Sequence, residues 1–277
     1  METLIANNYI LIIVIIGTTL IGCVSGILGT IITLRKEALV GNALAHASFP
    51  GVILSFMIMK NKNMELLLIG AGCFSAISLI IIKKIKKYSK IKYDSSLALI
   101  LSGFFGLGQV LLSIVQNTGN PNQSGLENFI FGEVATILFS DIEIISIISI
   151  IVIFIIILLR KEIKLFIFDE EFFKSLGYSS KILDGLITIL VIVVIMIGIR
   201  FIGVILMTSV LIAPSIAARQ WSNSFYNNLI LSGFFGGISG FLGTLVSLNN
   251  PDLSIGPIIV VISSLIAVTS IIFKKVK

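Results

Sequence analysis

DIEIISIISIIVIFIIILL, residues Asp141–Leu159, decides the fold. After Glu143 the run carries no charge, glycine or proline until Arg160, Lys161 and Lys164 close it. A helix rises about 1.5 Å per residue, so roughly 20 apolar residues match a bilayer's hydrocarbon core. The same pattern recurs along the chain, at Tyr9–Leu34, Leu39–Met59, Met64–Ile82, Ser95–Val115, Leu183–Ile199, Ile202–Ala218, Phe225–Leu248 and Ile255–Phe273. Composition agrees: 56% of the 277 residues are hydrophobic and 12% charged, against about 25% charged in soluble domains. The reading is an all-α polytopic helical membrane protein with about eight to nine transmembrane helices, one of them broken or re-entrant near Pro214. A single transmembrane domain covers 1–277.

Charge placement orients the spans. With the amino terminus outside and nine crossings, only Lys60, Lys62 and Arg200 of the 20 Lys and Arg fall outside. The remainder cluster on the other side, notably in a basic loop over Lys83–Asp94 and at Arg160–Lys181, and the positive-inside bias places them and the carboxyl terminus in the cytoplasm. The net charge of +6 is spread over several membrane flanks, which argues against a nucleic-acid partner and for membrane lipid. Cys23 and Cys73 lie in apolar runs and read as small buried hydrophobes. Met1–Asn8 contains no Lys or Arg, so the first run reads as a retained span, not a cleaved leader.

Other absences narrow the mechanism. The centres of the spans hold no Asp, Glu, Lys or Arg, whereas an ion-coupled carrier usually has a carboxylate near the midplane. No GxxxxGK[ST] loop is present, so ATP is not bound in that way. Uphill transport would draw its energy from a partner, and no enzymatic activity is expected of this chain.

The polar exception within the spans is Gly41-Asn42-Ala43-Leu44-Ala45-His46-Ala47-Ser48-Phe49-Pro50-Gly51, which holds the chain's one histidine. Asn42 and His46 are four apart and share a helix face. Pro50 removes a helical hydrogen bond just beyond them, and Pro214 does the same in the seventh run, so both are expected helix breaks. A polar side chain in mid-membrane marks a candidate functional site. The blander alternative is that His46 hydrogen-bonds across helices as structural glue. A second distinctive stretch is Phe168–Lys181. Asp169 can cap a short helix with Glu170 and Glu171 in its first turn, Gly177 can stop it, and Phe172, Phe173 and Leu176 supply apolar contacts. Such a segment suits either the membrane surface or a groove on a partner protein.

The residues Gly41–Gly51 resemble the G-D-A-L-x-H-A-x-x-P-G signature of ABC-type permeases for manganese, zinc and iron. Gly203–Leu206, Leu211–Pro214 and Ala217–Arg219 are similar to that family's second signature. Gly125–Gly132 resembles the loop before its middle span, Asp169–Gly177 its cytoplasmic coupling segment, and Asp252–Pro257 the start of its last span. The resemblance implies the membrane permease of an ATP-driven importer of a divalent metal, manganese or zinc favoured and iron possible, in a bacterial plasma membrane. It implies separate ATP-binding subunits docking on Asp169, Glu170, Phe172, Phe173, Leu176 and Gly177. It also implies an extracellular metal-binding protein and a second permease copy, identical or a sister chain. No cofactor is permanently bound; the metal is cargo, touched by His46 and by Asn42, which stands where the family has Asp. An amide oxygen is a weaker ligand than a carboxylate. Two other classes stay open: a permease for a metal chelate such as a siderophore or haem, and a secondary carrier without an ATPase.

Overall fold

A computed structural model describes residues 2–61, 63–117, 125–126, 130, 132, 139–249 and 253–274. Among these the secondary structure is helical: α1 (Glu2–Leu34), α2 (Ala38–Met59), α3 (Met64–Tyr88), α4 (Tyr93–Gln116), α5 (Phe139–Leu158), α6 (Arg160–Phe168), α7 (Glu170–Ser175), α8 (Ser180–Ile202), α9 (Val204–Trp221), α10 (Phe225–Leu248) and α11 (Ile255–Lys274). All except α6 and α7 are long and apolar enough to cross a membrane, which makes nine spans among the described residues.

Four boundaries differ from the sequence reading. Lys83, Lys84, Lys86 and Lys87 are not in a loop, because α3 runs on to Tyr88. Lysine is a good helix former, and cations are favourable in a last turn, where the carbonyl ends of the helix point. Arg200 lies within α8, and the turn falls instead at Gly203, whose φ of +89° suits a residue without a Cβ. Pro50 and Pro214 do not break their helices, which run unbroken through both. A proline deletes one ladder bond, and packing on both sides can hold the helix through that gap. Residues 160–168, read only as a basic flank, form the separate helix α6. Much of the Gln116–Ser140 loop, including most of Gly125–Gly132, lies outside the described residues, as do Asp252, Lys62, Lys275 and Lys277.

The chain divides into two compact units. The first comprises residues 1–38, 134–194 and 209–277. Its seam is glycine. An added Cβ at Gly22 would lie 2.2 Å from the Gly236 carbonyl oxygen, and one at Gly26 equally near that of Ser232, so α1 and α10 meet backbone to backbone. Close approach at small residues is how helices gain contact where lipid removes the hydrophobic drive to associate. The buried hydroxyls of Thr18 and Thr244 lie 2.8 Å apart across the seam. Gly29 extends this packing to α9, where an added Cβ would meet the Leu211 carbonyl oxygen at 1.7 Å. Next to it Thr33 Oγ1 and Ser215 Oγ are 2.8 Å apart.

The second unit comprises residues 39–133 and 195–208. Here α2 is the enclosed helix. Gly51 and Gly70 bring α2 against α3, with the Gly70 carbonyl oxygen where a Gly51 Cβ would go. Ser75 Oγ donates to the Leu44 carbonyl at 2.9 Å. Gly108 of α4 makes room for the ring of Phe49, and Gly72 for the thioether of Met196. Gly103 and Gly106, by contrast, face open space. Cys23 is half-buried and Cys73 exposed on α3, both as free thiols. The expectation of burial therefore fails at Cys73, where the helix turns a small apolar residue outward.

Candidate functional site

His46 sits about 12 Å along α2 from Ala38 at the rise of an α-helix. Gly41, Ala43, Leu44, Ala45, Ala47, Ser48, Phe49 and Pro50 are buried, whereas Asn42 and His46 are half-buried on one stripe. The helix thus has a packed side and a side that carries its two polar groups. The imidazole meets the ring of Phe105 edge-on, with centroids 4.9 Å apart, and Phe105 also packs on Phe49 at 5.9 Å. Those rings hold the histidine laterally and give it no polar partner. Its Nδ1 is buried without a hydrogen bond. An unsatisfied buried polar atom costs about 1–3 kcal/mol, and at this nitrogen the structural-glue reading finds no cross-helix bond. Pro50 has no N–H, so the His46 carbonyl oxygen also lacks its usual helical donor four residues on.

Among the described residues no group of three or more His, Cys, Asp or Glu side chains could hold a metal ion. What α2 offers is a single nitrogen lone pair, an amide one turn earlier and a freed carbonyl. That donor set can touch a cation whose remaining ligands come from water or from elsewhere, and such a contact is easily left.

The second predicted feature, residues 168–181, is built as a capped turn. Asp169 Oδ1 accepts the Phe172 N–H at 2.9 Å. The helix stops at Gly177, φ +85°. Glu170 pairs with Lys174 at 2.7 Å, and that hydrogen bond holds the Glu170 carboxyl below its usual range. The three apolar residues separate into two roles that spacing alone did not assign. Phe173 is 2% exposed, packed on Phe166 at 5.6 Å and stacked on Tyr178 at 5.0 Å. Phe172 and Leu176, 50% and 52% exposed, point outward. Sequence reasoning missed Phe166 and Arg35. The Arg35 guanidinium lies 5.0 Å over the Phe166 ring and pairs with Asp184 at 2.5 Å and Glu37 at 3.1 Å. This ties α6, and through Phe173 the short α7, to the end of α1 and the start of α8. The signal available in sequence was Arg35 itself, a lone arginine at the end of a long apolar run.

The sequence profile of the ABC 3 transport family matches residues 7–274. The chain belongs to the ABC 3 transport family. This ABC 3 chain is 38% identical over 259 residues to the manganese transport system membrane protein MntC of Bacillus subtilis, covering 94% of this chain and 60% of that protein. It is 36% identical over 265 residues to the zinc transport system membrane protein TroC of Treponema pallidum, covering 96% and 89%. Its fold is similar to PsaBC from Streptococcus pneumoniae, solved in complex with Fab, with a TM-score of 0.81 and 28% identity over 93% of this chain and 89% of that one.

Proposed function

We propose that this ABC 3 chain is the membrane-spanning permease of an ATP-driven importer for a divalent transition metal, manganese or zinc. The observation that carries the reading is the buried, unpartnered Nδ1 of His46, the chain's one histidine, in the middle of a span. The names of its relatives, which concern manganese and zinc transport, support the choice of cargo.

The chemistry follows from the donor set. A neutral imidazole offers one lone pair, and the nitrogen must be unprotonated to bind. Binding through Nδ1 would leave the proton on Nε2. The cation retains most of its other ligands as it passes, since conduction requires a site that can be left. Asn42 adds a neutral oxygen one turn away, which raises the local ligand count without adding charge to a low-dielectric span. A second permease copy supplies the other wall of the path, and an extracellular metal-binding protein delivers the ion.

ATP is hydrolysed on separate subunits that dock against Phe172 and Leu176. Asp169 and Gly177 define the turn that presents them, Glu170 and Lys174 brace it, and Phe173 seats it on α6. The excess of Lys and Arg at one set of helix ends supports an orientation with α6, α7 and the carboxyl terminus in the cytoplasm of a bacterial cell.

The deciding experiment is the initial uptake rate per folded transporter for manganese and for zinc in His46→Ala. The reading expects a large fall in uptake with expression largely intact. Wild-type rates for both metals would remove His46 from the path.

A further inference from the structure

Between α1, α5 and α10 lies a crevice of about 360 Å³ that the transport reading does not use. Ile27, Ile153, Ile156, Ile157, Leu229 and Ile230 line it, with Arg160 and Tyr226 at one end. From Ile153 to Arg160 it extends about 10 Å along the helix axis. Its isoleucine and leucine walls offer water few hydrogen-bonding partners. Ile230, 70% exposed, stands at its open rim, so the crevice opens where the spans meet lipid.

That end is cationic, and the nearest carboxylate in the chain order is turned away from it. The Arg160 guanidinium and the Lys164 ammonium lie 5.6 and 5.4 Å from the centre of the Tyr226 ring. They are four residues apart and share a face of α6, whereas Glu162 is turned roughly 200° away from Arg160. Among the described residues neither cation forms a salt bridge. Tyr226, in the first turn of α10, stands where an aromatic ring marks the headgroup level of a bilayer.

We infer that this crevice is a binding site for an anionic phospholipid. One acyl chain fills the Ile27–Ile153–Ile230 groove, and Arg160 and Lys164, braced on the ring of Tyr226, hold the phosphate. Charge complementarity selects the headgroup: two cations on one face favour a net negative lipid over a zwitterionic one. The apolar depth distinguishes this site from the lysine-rich end of α3, which has charge without a groove.

The test is native mass spectrometry of the full chain purified in neutral detergent, with phosphatidylglycerol and phosphatidylcholine added in equal amounts. The wild type should retain phosphatidylglycerol preferentially. Each cation contributes roughly a fivefold preference, so Arg160→Gln with Lys164→Gln should lower retention by about 25-fold. Ile230→Trp fills the rim while both cations remain, and its exposed position keeps folding out of the result; it should also lower retention. Lys86→Gln with Lys87→Gln should leave retention unchanged. Wild-type retention in either crevice variant would overturn the inference. An equal loss in the α3 variant would overturn it too, by assigning the effect to diffuse surface charge. Ile230→Trp that disrupts a complex of two copies while phosphatidylglycerol is retained would give the crevice to a protein neighbour instead.

Discussion

Truncating Phe172 to alanine tests whether the short α7 docks a motor subunit. Phe172 is 50% exposed, and a phenylalanine carries about 200 Å², so about 100 Å² is available to a partner. At about 25 cal/mol per Å² that is about 2.5 kcal/mol, or about 60-fold in affinity. Not all buried area converts to binding energy, so the expected loss is about ten- to sixty-fold. The assay is the dissociation constant between the permease in nanodiscs and its purified ATP-binding subunit. Phe172→Asp goes further by placing a charge in the same contact, and it should abolish metal uptake while the protein still inserts. Phe173→Ala is the control. Its ring is enclosed by Phe166 and Tyr178, so its removal should cost about 3–5 kcal/mol of local packing and loosen the whole turn. That difference is readable as faster amide exchange over 166–178, which Phe172→Ala should not produce. Binding of Phe172→Ala and Leu176→Ala within twofold of wild type would refute the docking argument.

Three further outcomes follow from the same structure. Gly29→Ala, whose Cβ would fall 1.7 Å from a backbone oxygen, should lower the unfolding temperature in detergent, whereas Gly103→Ala, facing open space, should equal or exceed wild type by up to about 1 kcal/mol of helix propensity; equal melting of the two would refute the backbone-contact seam. Asn42→Asp places a carboxylate beside His46 and should raise metal retention while sustaining uptake, since a bound cation offsets the charge's desolvation; metal retained per purified transporter checks it, and weaker retention would count against the shared ligand face. A peptide tag within 116–140 should be labelled from outside intact cells and one within 89–92 should not; the reverse pattern would invert the orientation.

Length, hydropathy and charge are properties of consecutive residues, and they determined the class of this protein. Runs of about 20 apolar residues can satisfy their backbone in lipid only as helices, so the spans, the capped turn at Asp169 and the shared face of Asn42 and His46 were all legible along the chain. What the sequence left open depends on which residues distant in the chain become neighbours. Gly236 and Gly103 are the same residue in similar apolar contexts, yet a Cβ added to one would strike a backbone oxygen and a Cβ added to the other would meet nothing within 4 Å. Phe172 and Phe173 are adjacent, and only the placement of Phe166 turned one inward and left the other for a partner. Proline's effect was likewise tertiary, since loss of one hydrogen bond can end a free helix, whereas α2 and α9 continue through Pro50 and Pro214. The missing hydrogen-bond partner at His46 Nδ1 was the least accessible of all: a histidine's donors and acceptors are known from its chemistry, but whether any neighbour meets them depends on how α2 is rotated among the helices packed against it.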